Sequence, residues 1–216
     1  MILKKLVAYI TTGYPNINFT KELIFALKEA GVDMIELGIP FSDPVADGNI
    51  IEKANLLALK QGFKINDLFD VSAKVGNQID TYWMGYFNSF YHKGYDFMIN
   101  KAKENNIKSF IIPDLPYEES IFYKNKYNLI SFVAPTDNFD RIKTILKDAQ
   151  DFIYLVAYAG ITGMGKNEDL SEIISNVRKV TNTPIYIGFG VNEKTARQKS
   201  KNVDGVIVGS AFIKFY

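Results

Sequence analysis

Leu6-Val7-Ala8-Tyr9-Ile10-Thr11 is a run of apolar, aromatic and β-branched residues with no charged residue threaded through it. A strand with one wet face alternates apolar and polar positions, whereas a strand covered on both faces is apolar throughout. The same texture recurs at 34–37, 82–86, 109–112, 130–133, 152–156, 185–188 and 205–208, which makes eight such runs. Amphipathic stretches separate them. In 19–30, Leu23, Ala26, Leu27 and Ala30 share a helical face, with Lys21, Glu22, Lys28 and Glu29 largely away from it. Stretches 68–75, 95–104, 118–126, 141–149, 170–180 and 193–201 have the same character, and 138–140 and 169–171 offer helix N-cap oxygens. Strand–helix alternation along the whole length predicts α/β architecture, and eight covered parallel strands predict a (β/α)8 TIM barrel, a fold that needs roughly 200 residues or more. No linker, repeat or low-complexity tract divides the chain, so 1–216 is expected to be one domain.

One interval breaks the rhythm. Between 37 and 82 there is too much chain for one loop and one helix: 40–48 is rich in turn formers, and 50–60 predicts an extra helix. Long loops after barrel strands usually carry function.

Composition removes several classes. With 25 basic and 24 acidic residues the formal charge is +1, which gives no electrostatic argument for nucleic acid or an anionic membrane. There is no cysteine and one histidine, so a disulfide framework is excluded and a metal site is not expected. The apolar runs are too short to span a bilayer and the start does not resemble a signal peptide, so a cytoplasmic protein is expected. His92 follows the third run in a polar loop and reads as a surface residue, Trp83 as core, and Lys4 and Lys5 as a solvated end.

Chemistry concentrates in Glu36-Leu37-Gly38-Ile39-Pro40-Phe41-Ser42-Asp43-Pro44-Val45-Ala46-Asp47-Gly48. Glu36 stands inside an apolar run, where a carboxylate is costly unless partnered, protonated or used. Asp47 lies in the following loop, which Pro40 and Pro44 stiffen. Either the two carboxylates work together at the barrel mouth, or Glu36 pairs with a nearby lysine and Asp47 caps the helix from Ile50. A second signal is glycine at three late strand ends, Gly160-Ile161-Thr162-Gly163, Gly188-Phe189-Gly190 and Gly209-Ser210. Glycine lets backbone N–H groups approach an oxyanion, so these turns suggest a phosphate site, although each also fits an ordinary tight turn.

Together these motifs resemble the alpha chain of tryptophan synthase. The likeness covers 36–48, Tyr9-Ile10-Thr11-Thr12-Gly13-Tyr14-Pro15, Met84-Gly85-Tyr86-Phe87-Asn88, Pro113-Asp114-Leu115-Pro116-Tyr117-Glu118-Glu119, 159–163, Gly188-Phe189-Gly190-Val191 and 204–211, in order and over nearly the whole chain. The resemblance implies a lyase that splits indole-3-glycerol phosphate into indole and glyceraldehyde 3-phosphate by a retro-aldol reaction. It makes Glu36 the acid–base residue and Asp47 the carboxylate that stabilises the protonated indole. It puts the phosphate on Gly163, Gly190, Gly209 and Ser210. The indole would lie among Tyr9, Met84, Tyr86, Ile111, Val133, Tyr154 and Phe189, with plain core packing the competing reading for Met84, Ile111 and Val133. Thr162 would close a mobile loop over the site, and Tyr154 or Thr162 would position Asp47. No cofactor is implied for this chain. The implied partner is the pyridoxal-phosphate beta chain, in an α2β2 assembly, meeting a rim that includes Asp43 and Pro44; Asn88, Asp114 and Pro116 match the family near it. The family pattern also has a helix before the first strand and a long helix after the eighth, which this sequence lacks or shortens. That departure keeps an alternative in play: a weakly catalytic or non-catalytic subunit that activates the beta chain. Another phosphate-binding barrel enzyme is disfavoured by 36–48.

Overall fold

The computed structural model describes residues 4–157, 170–192 and 194–216. The chain runs β1 (Lys5–Thr11), α1 (Ile17–Glu29), β2 (Met34–Gly38), α2 (Asn49–Lys60), α3 (Ile65–Val75), β3 (Asp80–Met84), α4 (Phe87–Lys93), α5 (Tyr95–Glu104), β4 (Phe110–Ile111), α6 (Tyr117–Ser120), β5 (Ser131–Val133), α7 (Phe139–Ile145), a 3-10 turn (Leu146–Asp148), β6 (Ile153–Val156), α8 (Ser171–Val180), β7 (Ile185–Gly188), α9 (Ala196–Lys199), β8 (Gly205–Val208) and α10 (Ser210–Ile213). The eight strands are hydrogen-bonded in the order β4-β3-β2-β1-β8-β7-β6-β5, all parallel. The two ends of that order meet through one parallel bridge, Phe110 to Leu129, with Ile130 N–H donating to Phe110 O at 3.0 Å. The sheet therefore closes into the (β/α)8 barrel that the alternation predicts.

Period two sorts the strand residues into two populations. Val7, Tyr9, Tyr82, Met84, Ile111, Phe152, Tyr154, Tyr186 and Ile207 form the barrel interior. The alternate residues pack outward. One outer cluster joins Ala8, Ile10, Ile35, Leu37, Trp83 and Phe110 to α1, α3, α4 and α5; the other joins Ile153, Leu155, Ile185, Ile187, Val206 and Val208 to α7 and α8. Trp83 is fully buried, stacks on Phe110 at 5.8 Å and donates its Nε1–H to Ser72 Oγ at 2.8 Å. Toward the strand N-termini the interior is closed by aromatic packing of Phe152 on Tyr186 (4.6 Å) and against Tyr82 (5.3 Å).

Several local expectations shift. The buried stripe of α1 is Thr20, Ile24 and Leu27, whereas Ala26 and Ala30 are exposed. Asn16 caps the helix by accepting from Phe19 N–H at 2.9 Å. Asn138 caps α7 through Arg141 N–H at 2.9 Å, as its position suggests. Strand β3 begins at Asp80 and ends at Met84, because Tyr86 turns away as the N-cap of α4, a short helix not evident in the sequence. Its first N–H, on Phe87, is held by Asp114 Oδ1 at 2.8 Å. The helix expected over 118–126 keeps only α6. Beyond it the chain winds in tight turns that deliver Tyr123 onto Phe87 (5.0 Å) and Tyr95 (4.8 Å). The stretch 193–201 yields only α9, preceded by a turn in which Asn192 Oδ1 accepts from Lys194 and Thr195 N–H. At the end, α10 rests on α2 and β1, Phe212 packs between the two outer clusters, and Tyr216 packs on Phe19 (5.1 Å) and Tyr14 (5.8 Å), leaving Phe215 exposed.

Candidate active site

The C-terminal ends of the strands surround a cavity of about 770 Å3 lined by Tyr9, Glu36, Met84, Tyr154, Phe189 and Ile207 from the barrel, by Ala46, Asp47 and Gly48 from the β2 loop, by Ile50 and Ile51 of α2, and by Gly190, Lys194, Gly209, Ser210 and Lys214 on one side. Both carboxylates singled out in the sequence therefore face one space.

Glu36 projects inward from β2, opposite Tyr9 on β1 and Tyr82 on β3. It is 1% exposed, forms no salt bridge among the described residues, and its Oε1 has no hydrogen-bond partner among them. The lysine-paired alternative is thus not what forms. Burial, reinforced by the neighbouring charge of Asp47, pushes the Glu36 carboxyl up to about 8.

Asp47 does not cap α2: the N-cap is Gly48, with no side-chain cap bond. Its carboxylate instead accepts a hydrogen bond from Asn55 Nδ2 at 3.0 Å and lies within hydrogen-bonding reach of the Tyr86 hydroxyl. Burial raises Asp47 to about 6; Tyr86 and Asn55 oppose that rise and the charge of Glu52 adds to it. Tyr86 is thereby moved from the pocket wall to the loop. Its ring stacks on Phe41 at 5.3 Å, and its hydroxyl accepts from Ala46 N–H at 3.0 Å, so one side chain pins both ends of the proline-stiffened loop. Among the described residues no Tyr154–Asp47 hydrogen bond forms, and the groups in reach of the Asp47 carboxylate are Asn55 and Tyr86.

Two tyrosines cross the cavity floor because glycine gives them room. A Cβ on Gly38 would overlap the Tyr9 ring and hydroxyl, and one on Gly188 would overlap Tyr154. In each case a strand-end glycine lies beside the neighbouring strand's tyrosine, so the ring lies flat across the adjacent strand. Gly38→Ala is expected to destabilise the protein by roughly 1–3 kcal/mol through overpacking, read as a lower urea midpoint. An unchanged midpoint would show that Tyr9 leaves the notch freely.

Of the other expected pocket residues, Met84, Tyr154 and Phe189 line the cavity; Phe189 adopts φ 62°, and with Gly190 at φ 68° it turns the chain sharply after β7. Ile111 lies in the barrel interior but not on the cavity wall. Val133 needs correction: it points outward among Ile142, Ile145 and Leu155. Phe132 takes the inward position of β5, stacked on Tyr154 at 4.8 Å, and with a period of two its neighbour cannot share that face. Gly190, Gly209 and Ser210, expected to hold phosphate, lie together on the cavity wall. Gly163 and Thr162 fall outside the described residues. Sequence reasoning relied on backbone groups for the phosphate and missed Lys194 and Lys214, which line that wall with no carboxylate partner among the described residues. Lys214 lies one helical turn after Ser210, a spacing visible in the sequence. His92 is exposed on α4.

The model of the tryptophan synthase alpha chain family matches residues 3–215. The tryptophan synthase alpha chain of Wolinella succinogenes is 53% identical over 98% of this chain and 86% of its own length, and that of Petrotoga mobilis 43% identical over 98% and 86%. Among solved structures, the tryptophan synthase subunit alpha from Campylobacter jejuni superposes with a TM-score of 0.87 at 37% identity, covering 98% of this chain and 88% of that one. The alpha2beta2 tryptophan synthase complex from Pyrococcus furiosus contains a chain that superposes with a TM-score of 0.84 at 28% identity, covering 99% and 90%. This chain belongs to the tryptophan synthase alpha chain family.

Proposed function

We propose that this chain cleaves indole-3-glycerol phosphate to indole and glyceraldehyde 3-phosphate, with Glu36 moving the protons and Asp47 stabilising the charge. The observation that carries the assignment is a buried carboxyl, Glu36, with no salt bridge and no partner for its Oε1 among the described residues, facing the same cavity as a second, hydrogen-bonded carboxylate. Indole leaves poorly as a carbanion. Glu36, protonated at neutral pH, gives its proton to ring C3; the resulting cation is stabilised by Asp47 at the indole N–H. The Glu36 carboxylate then takes the proton of the glycerol hydroxyl beside the ring. The bond between ring C3 and that carbinol carbon breaks, its electron pair returns to the indole, the aldehyde forms, and Glu36 ends protonated as it began. Gly163, Gly190, Gly209 and Ser210 would hold the phosphate through backbone groups, with Lys194 and Lys214 adding positive field. Tyr9, Met84, Tyr154 and Phe189 suit a flat aromatic ring.

Partnership with a pyridoxal-phosphate beta chain in an α2β2 assembly belongs to the same reading, and the exposed rim around Asp43, Pro44 and Val45 is where we place the contact. A cytoplasmic setting is part of it, and the absence of cysteine is compatible with that. Among the described residues no helix is long and apolar enough to cross a membrane.

The test is indole release from indole-3-glycerol phosphate, with and without a beta chain, from pH 5 to 9. Asp47 works ionised, so the rate is lost as pH falls through about 6; Glu36 starts protonated, so it is lost as pH rises through about 8. A bell-shaped kcat/KM between those limbs, raised by the beta chain, is expected. No release from folded protein under either condition would overturn the lyase reading in favour of a non-catalytic partner subunit.

A further inference from the structure

We propose that Asn55 is a positioning residue for this reaction: its side-chain amide, on α2, holds the Asp47 carboxylate facing the substrate cavity. The inference rests on the role given to Asp47 above. Asn55 is 1% exposed, between Ala54 and Ala58 on the buried face of α2, and donates Nδ2–H to Asp47 Oδ2 at 3.0 Å. Its Oδ1 is also buried and has no hydrogen-bond partner among the described residues. The helix departs from its own hydrophobic pattern at this position. It buries an amide while Leu56 and Leu57 remain 38% and 42% exposed. A sequence that breaks the partition of polar and apolar residues at one place, and leaves half of the buried amide unsatisfied there, is expected to do so at a functional site. Helix α2 packs on β1 and α10, so Asn55 presents its amide from a fixed support rather than from the loop that carries Asp47.

The surroundings of Asp47 explain why a neutral donor is needed. The titratable groups facing it are Glu36 from β2, Glu52 from α2, Tyr86 after β3, and Tyr9 and Tyr154 from β1 and β6. Every one is an acid or a phenol. Lys194 and Lys214 line the same cavity but form no ion pair with Asp47, so its ionised form depends on the N–H of Asn55 and the hydroxyl of Tyr86.

The experiment is steady-state cleavage across pH by Asn55→Leu and Asn55→Asp, with Asp47→Asn as the control. Asn55→Leu removes the donor at similar volume. It is expected to lower kcat roughly tenfold, leave KM within about threefold, and move the acid limb of kcat/KM upward by about one pH unit. Asn55→Asp keeps the shape, puts an acid against Asp47, and should move the limb further in the same direction; it also serves if the leucine variant fails to fold. A packing role alone would lower thermal stability and leave the limb where it is. An unmoved acid limb in a folded Asn55 variant, with Asp47→Asn inactive, overturns the role of Asn55 and leaves the lyase reading standing. Normal turnover by Asp47→Asn overturns the reading on which both rest.

Discussion

Glu36→Gln is expected to lower indole release by about 10^3-fold or more and, at the same time, to stabilise the fold near neutral pH. The loss follows because the amide can neither give a proton to ring C3 nor take one from the glycerol hydroxyl, and acid–base catalysis by one group contributes about 10^2–10^4-fold per transfer. The gain follows from burial. The folded protein holds Glu36 protonated up to about 8, whereas the unfolded chain ionises near the ordinary glutamate value of 4.5. A carboxyl whose folded value is raised gives its full stability below the unfolded value and loses it progressively as pH climbs to the folded one. At pH 7 the deficit is about 3 kcal/mol, from 1.36 kcal/mol per pH unit. Glutamine keeps the shape and has no such deficit, and its buried amide replaces a buried carboxyl that was itself unpartnered on one oxygen. Urea unfolding of both proteins at pH 5 and pH 7.5 checks this. The variant's advantage should be small at the lower pH and large at the higher. An advantage that does not grow with pH would mean that Glu36 is already ionised in the fold, and with normal turnover it would remove Glu36 from the mechanism.

That trade of stability for chemistry is why Glu36 was visible in the sequence. A lone acid among Met34, Ile35 and Leu37 contradicts its surroundings, and contradictions of that kind survive at sites that use them. The barrel was visible for the opposite reason: eight covered strands repeat one consistent pattern, and the order β4-β3-β2-β1-β8-β7-β6-β5 follows once that pattern is recognised. What stayed hidden is decided by register and contact. Phe132 and Val133 are both apolar, so only the phase of β5 shows that Phe132 faces Tyr154 and Val133 faces α7. The phase of α1 is likewise decided by what it packs on: helical spacing points to Leu23, Ala26, Leu27 and Ala30, whereas the buried residues are Thr20, Ile24 and Leu27. Gly38 and Gly188 look like turn glycines but serve as notches for tyrosines one strand away, which is information held between strands. Asn55 was hidden because helix α2 buries it while Leu56 and Leu57 stay exposed, the reverse of what periodicity assumes. The residues carrying Asp47 were legible only in part: the prolines marked a stiff loop, but Tyr86, forty positions away in sequence, is the side chain that pins it.

Asp47→Asn should remove turnover with little effect on binding. The substituted side chain has nearly the same shape and can still accept from Asn55 through its carbonyl oxygen, so loop and cavity are expected to keep their form. What disappears is a full negative charge aimed at a cation that exists only after ring C3 is protonated. In the ground state the indole N–H is neutral and a carbonyl serves it almost as well; in the transition state the ring is positive, among Tyr9, Met84, Tyr154 and Phe189, none of which carries a compensating negative charge. An interaction made mainly in the transition state lowers kcat and kcat/KM together when it is lost, and removing a preorganised electrostatic partner costs about 10^2–10^3-fold. The variant is therefore expected to show kcat reduced by that factor with KM for indole-3-glycerol phosphate within a few fold. Its residual rate should also lose the acid limb near 6, because the group that titrates there is gone. If the change fell on KM while kcat held, Asp47 would be a ground-state contact for the ring. If the limb persisted in the variant, it would belong to another group, and the pairing of a buried acid with an ionised neighbour would have to be assigned afresh.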